Sequence, residues 1–187
     1  MRELALHLMD IVQNGLRAGA QRIDILIAAD SQADKLTMQI KDNGCGMDEK
    51  QLSKVTDPYH TTRTTRSIGL GLPLLKEHCI LTGGSLTIDS QKGLGTTVTA
   101  TFGLSNIDRL PLGNIAETMS LLILSDPDID YSLTLLGTEG EEVFDLAEIR
   151  KTLEDVPVND PTVLEWITGY LEQKMTLFGG ALNEIIS

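Results

Sequence analysis

The stretch KLTMQIKDNGCGM (35–47) decides how the rest of this chain is read. Leu36, Met38 and Ile40 alternate with polar neighbours, the period of a strand with one buried face. The alternation stops at Asp42-Asn43-Gly44-Cys45-Gly46, where two glycines in three residues require tight backbone rather than regular structure. A strand ending in a carboxylate and a glycine loop sets a hydrogen-bond acceptor beside backbone that a flat ligand can approach closely. Alone, the same letters also spell an ordinary Asn-Gly turn.

Upstream, RIDILIAA (22–29) alternates Ile23, Ile25 and Ile27, and reads as a second strand joined to the first by a polar turn. Before it, residues 3–18 repeat Leu4, Leu8, Ile11, Val12 and Leu16 at helical spacing, with a stop expected at Gly19. Downstream, a short helix is expected over 48–55, then a polar loop over 56–71. LGLPLLKEHCILTGG (70–84) reads as a helix with Pro73 in its first turn and the Gly83-Gly84 pair at its end. SLTIDS (85–90) and TTVTATF (96–102) are alternating strands around a glycine turn. Helix, two strands, two helices, two strands predicts a two-layer α/β sandwich with a mixed sheet.

The remaining residues differ in character. Residues 1–104 hold 11 Lys+Arg and 11 Asp+Glu, whereas residues 105–187 hold 4 and 16, so the whole net charge of −12 lies in the second part. That shift predicts a boundary, with one domain over 1–104 and an acidic α/β extension over 105–187. The extension should contain a helix near 113–124, a hairpin from YSLTLLG to EEVFDL, a helix capped by Asp145 and Glu148, and a long helix opened by Pro161. Its acidity repels a phosphate backbone, which argues against nucleic-acid binding. No run of about 18 apolar residues is present, so neither a membrane span nor membrane association is expected. MRELALHLMD does not read as a signal peptide, and two cysteines outside any CxxC pair fit a reducing cytoplasm. At 41% hydrophobic with few aromatics, the core must rest on Leu, Ile and Val.

Chemistry-bearing residues gather at the ends of these elements. Asp10 and Asn14 lie four apart on the first helix and share a face, with His7 three residues before Asp10. Gly69-Leu70-Gly71 precedes a helix, whose first N–H groups and dipole attract an anion. The loop before it sets Arg63 and Arg66 among four threonines, a set rich in phosphate donors. Gly93-Leu94-Gly95-Thr96 leads into the last strand. Each cluster alone admits a plain structural role, as a surface stripe or a turn.

In this order, however, they resemble the Bergerat-fold (GHKL) ATP-binding domain of histidine kinases, gyrase-type topoisomerases, Hsp90 chaperones and MutL-type repair proteins. Asn14 in HLMDIVQNGLRAGA resembles the N-box, DNGCGM the first glycine box, SIGLGLPLLKEH the second, and GLGTTVTATF the third with its terminal strand. The resemblance covers about residues 3–103. It implies ATP and Mg²⁺ as cofactors, with Asn14 on the metal and Asp42 on the adenine amine. Gly44, Gly46, Met47 and Thr96 would complete the base pocket. Gly69, Leu70, Gly71 and Leu72 would face the phosphates, and Thr62 and Arg63 would belong to a lid. Asp10 holds the place where hydrolytic relatives carry a water-activating Glu, one methylene longer.

Two residues precede the first helix, so a complete histidine kinase with its own phosphoacceptor hairpin is not expected. The resemblance therefore implies a stand-alone histidine-kinase-like module acting as a protein kinase or slow ATPase on an unidentified protein partner, as phosphoacceptor or regulator. The alternative is a module that senses ATP without turnover, in which ATP orders the lid and the acidic extension binds the partner. An ATP-gated dimeric clamp is a third reading, resting on the MutL-like first helix alone; oligomeric state is otherwise open. Cys45 in the adenine loop raises a redox-gated site, against a small loop residue. Trp166, Tyr170 and Phe178 read as packing, or as a docking anchor on an acidic surface.

Overall fold

The computed structural model describes residues 2–56, 71–138 and 140–186. Helix α1 (Leu4–Arg17) ends at Ala18, and Gly19 follows with φ 77°. Strands β1 (Arg22–Asp30) and β2 (Lys35–Asp42) pair antiparallel, with Ile25 opposite Ile40 and Ile27 opposite Met38. Helices α2 (Glu49–Thr56) and α3 (Gly71–Leu81) follow, then β3 (Leu86–Gln91) and β4 (Gly95–Gly103). The acidic extension supplies α4 (Ile115–Ser125), β5 (Asp130–Gly137), β6 (Gly140–Asp145), α5 (Leu146–Leu153) and α6 (Pro161–Ile186).

All six strands form one mixed sheet in the order β3-β4-β2-β1-β5-β6. The extension does not add a separate sheet: β5 lies parallel to β1, with Ile23 opposite Tyr131 and Ile27 opposite Leu135. The inward residues of every central strand therefore fall in line. Ile25, Met38, Ile40, Val98, Ala100, Phe102 and Leu133 belong to one buried cluster with Leu4, Leu8 and Val12 of α1, Leu75 of α3, Met119 of α4 and Ile167 of α6. Helices α1, α3, α4 and α6 thus cover one face of the sheet, and the architecture is a two-layer α/β sandwich.

Two joints fasten the extension to the first hundred residues. The N–H groups of Leu4 and Ala5, orphan donors at the start of α1, donate to the carbonyls of Pro111 and Leu112, each at 2.9 Å. On the other side of the sheet, Arg22 donates to Asp24 at 2.8 Å and to Asp145 at 3.0 Å, while the Ser132 hydroxyl donates to Asp24 at 2.7 Å. Local signals in the extension are met in part. Asp145 caps α5 by accepting from the Ala147 N–H, but Glu148 turns to Lys151 instead of closing a capping box. The aromatic trio is also divided: Phe178 is buried, and Trp166 stacks on Tyr170 at 5.7 Å in an exposed position.

Candidate functional site

Asp10 and Asn14 are one turn apart on α1, and Gly15 follows Asn14 on the side that meets the sheet. A Cβ at Gly15 would lie 3.0 Å from the Asp42 Cβ, so the missing side chain lets the helix settle directly on the end of β2. Burial pushes the Asp42 carboxyl above its ordinary pKa, against N–H bonds from Gly44 and Thr96 that pull it down. Its Oδ1 accepts from the Gly44 N–H at 2.8 Å.

The glycine loop after Asp42 is clamped from two sides. Asn43 Oδ1 accepts from the N–H groups of Gln21 and Arg22 at 2.8 and 2.9 Å, and the Cys45 N–H donates to the Ala18 carbonyl at 2.8 Å. From the β3–β4 turn, the Gly93 N–H donates to the Cys45 carbonyl at 2.7 Å. Ser90 ties the rest together, accepting from the Met47 N–H at 2.9 Å and bonding the Thr96 hydroxyl at 2.9 Å. Gly46 packs against the Gln91 carbonyl. Met47 and Thr96 are half-buried at the rim, and a recess of about 350 Å³ beside them is lined by Asp42, Ser90, Gly95, Leu94 and Leu52 of α2.

At the other end of the site, the Asp10 carboxylate lies against the first residue of α3. A Cβ at Gly71 would fall 1.9 Å from Asp10 Oδ2, and that oxygen is buried without a hydrogen-bond partner. An acceptor without a donor at a helix N-terminus is electrostatically favoured there and chemically unspent. Leu72 is turned into the core. Thr62, Arg63, Gly69 and Leu70 lie outside the described residues. The structure thus brings Asp10, Asn14, Asp42, Gly44, Gly46, Met47, Gly71 and Thr96 to one end of the sheet.

A Mg²⁺ ion at Asn14 would have to be shared with a ligand, since the described protein groups do not suffice to hold one. Among the described residues no group of three His, Cys, Asp or Glu side chains could hold a metal. Asn14 is half-exposed, and its Oδ1 accepts from the Arg17 guanidinium at 3.2 Å, a contact that a metal ion would have to displace. One neutral oxygen plus phosphate oxygens and waters is a common way for Mg²⁺ to be bound.

Sequence reading missed Ser90, Asn43 and Gly15. It noted His7 without seeing its setting: the ring is 1% exposed, and it meets His78 edge-on at 5.6 Å. Neither ring nitrogen has a hydrogen-bond partner. Burial first, then the neighbouring His78 and the N-terminal charge, hold its pKa down to about 4, against a smaller opposing contact with the Gly71 backbone. The unfolded chain takes up this proton near its ordinary value of 6.5, so the folded state is fully favoured above that pH and loses ground as pH falls toward 4. We expect about 2–3 kcal/mol of wild-type stability to be lost through this group between pH 7 and 4.5. Urea unfolding of His7→Phe beside wild type checks it: the difference between the two should shift with pH by that amount, and a pH-independent difference would refute it.

Comparisons with known proteins identify the family of the first part of the chain. Residues 2–106, more than half of the chain, match the family described as histidine kinase-, DNA gyrase B-, and HSP90-like ATPase. The chain is 32% identical over 99 residues to the sensor histidine kinase WalK of Bacillus subtilis, covering 49% of this chain and 16% of that protein. It is 32% identical over 92 residues to sporulation kinase C of the same organism, covering 47% of this chain and 20% of that protein. The matched stretch therefore spans about a fifth or less of these relatives. Among solved structures, the N-terminal domain of a DNA repair protein superposes with a TM-score of 0.50 at 15% identity, covering 76% of this chain and 52% of that one, a likeness of fold. No helix among the described residues is long and apolar enough to cross a membrane. The chain belongs to the histidine kinase-, DNA gyrase B- and HSP90-like ATPase family, and residues 2–106 are its histidine-kinase-like ATP-binding domain.

Proposed function

We propose that the chain is a Mg-ATP-dependent regulator that transfers the γ-phosphate to a partner protein or hydrolyses ATP slowly while engaged with it. The observation that carries this reading is the unpartnered Asp10 oxygen held at the start of α3, one turn from Asn14 on the same helix. Asp42 would accept from the adenine amine, with Thr96 and Met47 at the edge of the base. The N–H groups of Gly71 and Leu72 would meet phosphate oxygens; Pro73 has none to offer. Asn14 would hold Mg²⁺, which when bound neutralises charge on the phosphates. Asp10 would take the proton from a water or an incoming hydroxyl, a task that requires it within hydrogen-bond reach of that group. The proposed setting is intracellular, away from nucleic acid and membrane surfaces.

Asp10→Asn keeps the size of the side chain and removes the base. We expect ATP turnover to fall by about a hundredfold or more while ATP binding stays within about twofold. Phosphate release and ATP binding are measured on the same samples. If both proteins bind ATP and neither releases phosphate nor labels a partner protein with the γ-phosphate, the non-catalytic ATP-sensing reading takes over. What favours that second reading is that Asp10 is one methylene shorter than the Glu hydrolytic relatives carry there, which sets its carboxylate back from an attacking water.

A further inference from the structure

Helix α6 carries an outward stripe of which Tyr170 packs partly on the core while Trp166 and Leu177 stay exposed. Thr162, Trp166, Gly169, Tyr170, Gln173 and Leu177 recur at spacings of three and four, which sets them within about 100° of one another and along about 22 Å of helix. None is charged. Trp166 and Leu177 are each 57% exposed, and Gly169 faces open space between them, a notch beside the stacked Trp166 and Tyr170 rings. The opposite side of the helix already does the packing, through buried Ile167, Leu171 and Phe178. Exposed apolar side chains sharing one uncharged helix face, rimmed by charge, mark a contact surface.

The charge of the rim says what fits it. Glu165 and Glu172 are exposed along one flank, and Lys174 on the other is already paired with Glu142 at 2.8 Å. Residues 105–187 contain only four basic side chains, and every one is engaged. Arg109 donates to the Leu104 and Leu110 carbonyls, Arg150 to Asp130, Lys151 to Glu148 and Lys174 to Glu142. The extension thus offers a partner excess negative charge and no free cation. A second copy joined through the same stripe would set Glu165 and Glu172 near their own equivalents with nothing to offset them.

We propose that the Trp166–Leu177 stripe is a docking site for a basic amphipathic helix of a partner protein. Its apolar face would lie on Trp166, Tyr170 and Leu177, with a bulky residue in the Gly169 notch, and its Lys or Arg residues would face Glu165 and Glu172. This site sits over β5 and β6, whereas the nucleotide site lies at the ends of β2 and β4, so the inference stands whether or not ATP is turned over.

Trp166 is the only tryptophan in the chain, so its emission reports on the stripe directly. The probe is a synthetic amphipathic Leu/Lys helix, compared with its Leu/Glu counterpart on the full-length protein in physiological salt, where charges beyond about 8 Å are screened. The Lys peptide should shift Trp166 emission to the blue and saturate, and the Glu peptide should leave it unchanged. With a fluorescein-labelled Lys peptide, Trp166→Ala, Leu177→Ala and the pair Glu165→Lys/Glu172→Lys should each weaken binding by about tenfold. The pair Glu49→Lys/Glu77→Lys, exposed acids at the other edge of the sheet, should change it by less than about twofold. Equal losses in both charge pairs would reduce the effect to net charge and overturn the proposal. So would binding that ignores Trp166→Ala and Leu177→Ala. A blue shift that grows with protein concentration in the absence of peptide would instead assign the stripe to a second copy of this chain.

Discussion

Asp42→Asn is expected to weaken ATP binding by about a hundredfold while leaving the fold intact. The substitution conserves shape, and the new amide oxygen can keep the 2.8 Å bond from the Gly44 N–H and the contact with Gly15. What changes is the second carboxylate oxygen, which becomes an N–H₂ group. It then presents a donor to the adenine amine, also a donor, inside a half-buried site where an unmade bond is costly. A charged acceptor contributes about 1.5–3 kcal/mol, and turning acceptor into donor puts the effect at the upper end of that range. Stability without nucleotide should hold or rise slightly, because burial disfavours the Asp42 charge and the amide removes it. Calorimetric ATP titration and urea unfolding of the same samples settle both halves. An affinity within about threefold of wild type would remove Asp42 from the adenine contact.

Gly95→Ala is expected to cost about 3–5 kcal/mol of stability and to reduce ATP affinity as well. Gly95 has φ 106°, outside the region open to L residues, and a Cβ there would lie 2.0 Å from the Asp42 carbonyl oxygen. The strand can move only by loosening the pairing of Asp42 with Thr96, which carries both to the site. Gly93, two residues earlier in the same turn, is an internal control. Its φ is 82°, but nothing lies within 4 Å of an added Cβ, so Gly93→Ala should show backbone strain alone, about 1–2 kcal/mol. Equal losses in the two variants would show that turn strain, and not the approach to Asp42, sets the cost.

The contrast between these glycines shows how far the sequence could be read. Strand β2 runs over Lys35–Asp42, as the alternation of Leu36, Met38 and Ile40 indicates, and α1 stops just before Gly19 as its pattern suggests. Asp10, Asn14, Asp42 and the glycine loop were legible because polar residues and glycines interrupt otherwise apolar periods. Ser90 was not, since a serine near the end of a short alternating strand looks like any other. Only the hairpin partner reveals that it holds Met47 and Thr96. His7 was seen beside Asp10 but its burial was hidden, because the ring it meets, His78, belongs to α3, more than sixty residues away.

The sequence by itself determined which residues face inward, where the backbone must turn tightly, and that all net negative charge lies after residue 104. These follow from local periods of two and 3.6 and from residue chemistry, which need no knowledge of neighbours. Only the tertiary structure decided that β5 lies parallel to β1 and continues the same sheet, that Asp10 meets Gly71, and that Trp166 is left outside while Phe178 is covered. A strand's alternation specifies its buried face but not the strand beside it, and a helix's stripe specifies that it must be covered but not by what. Those choices are made when the elements pack against one another, by shape and by the hydrogen bonds that burial requires.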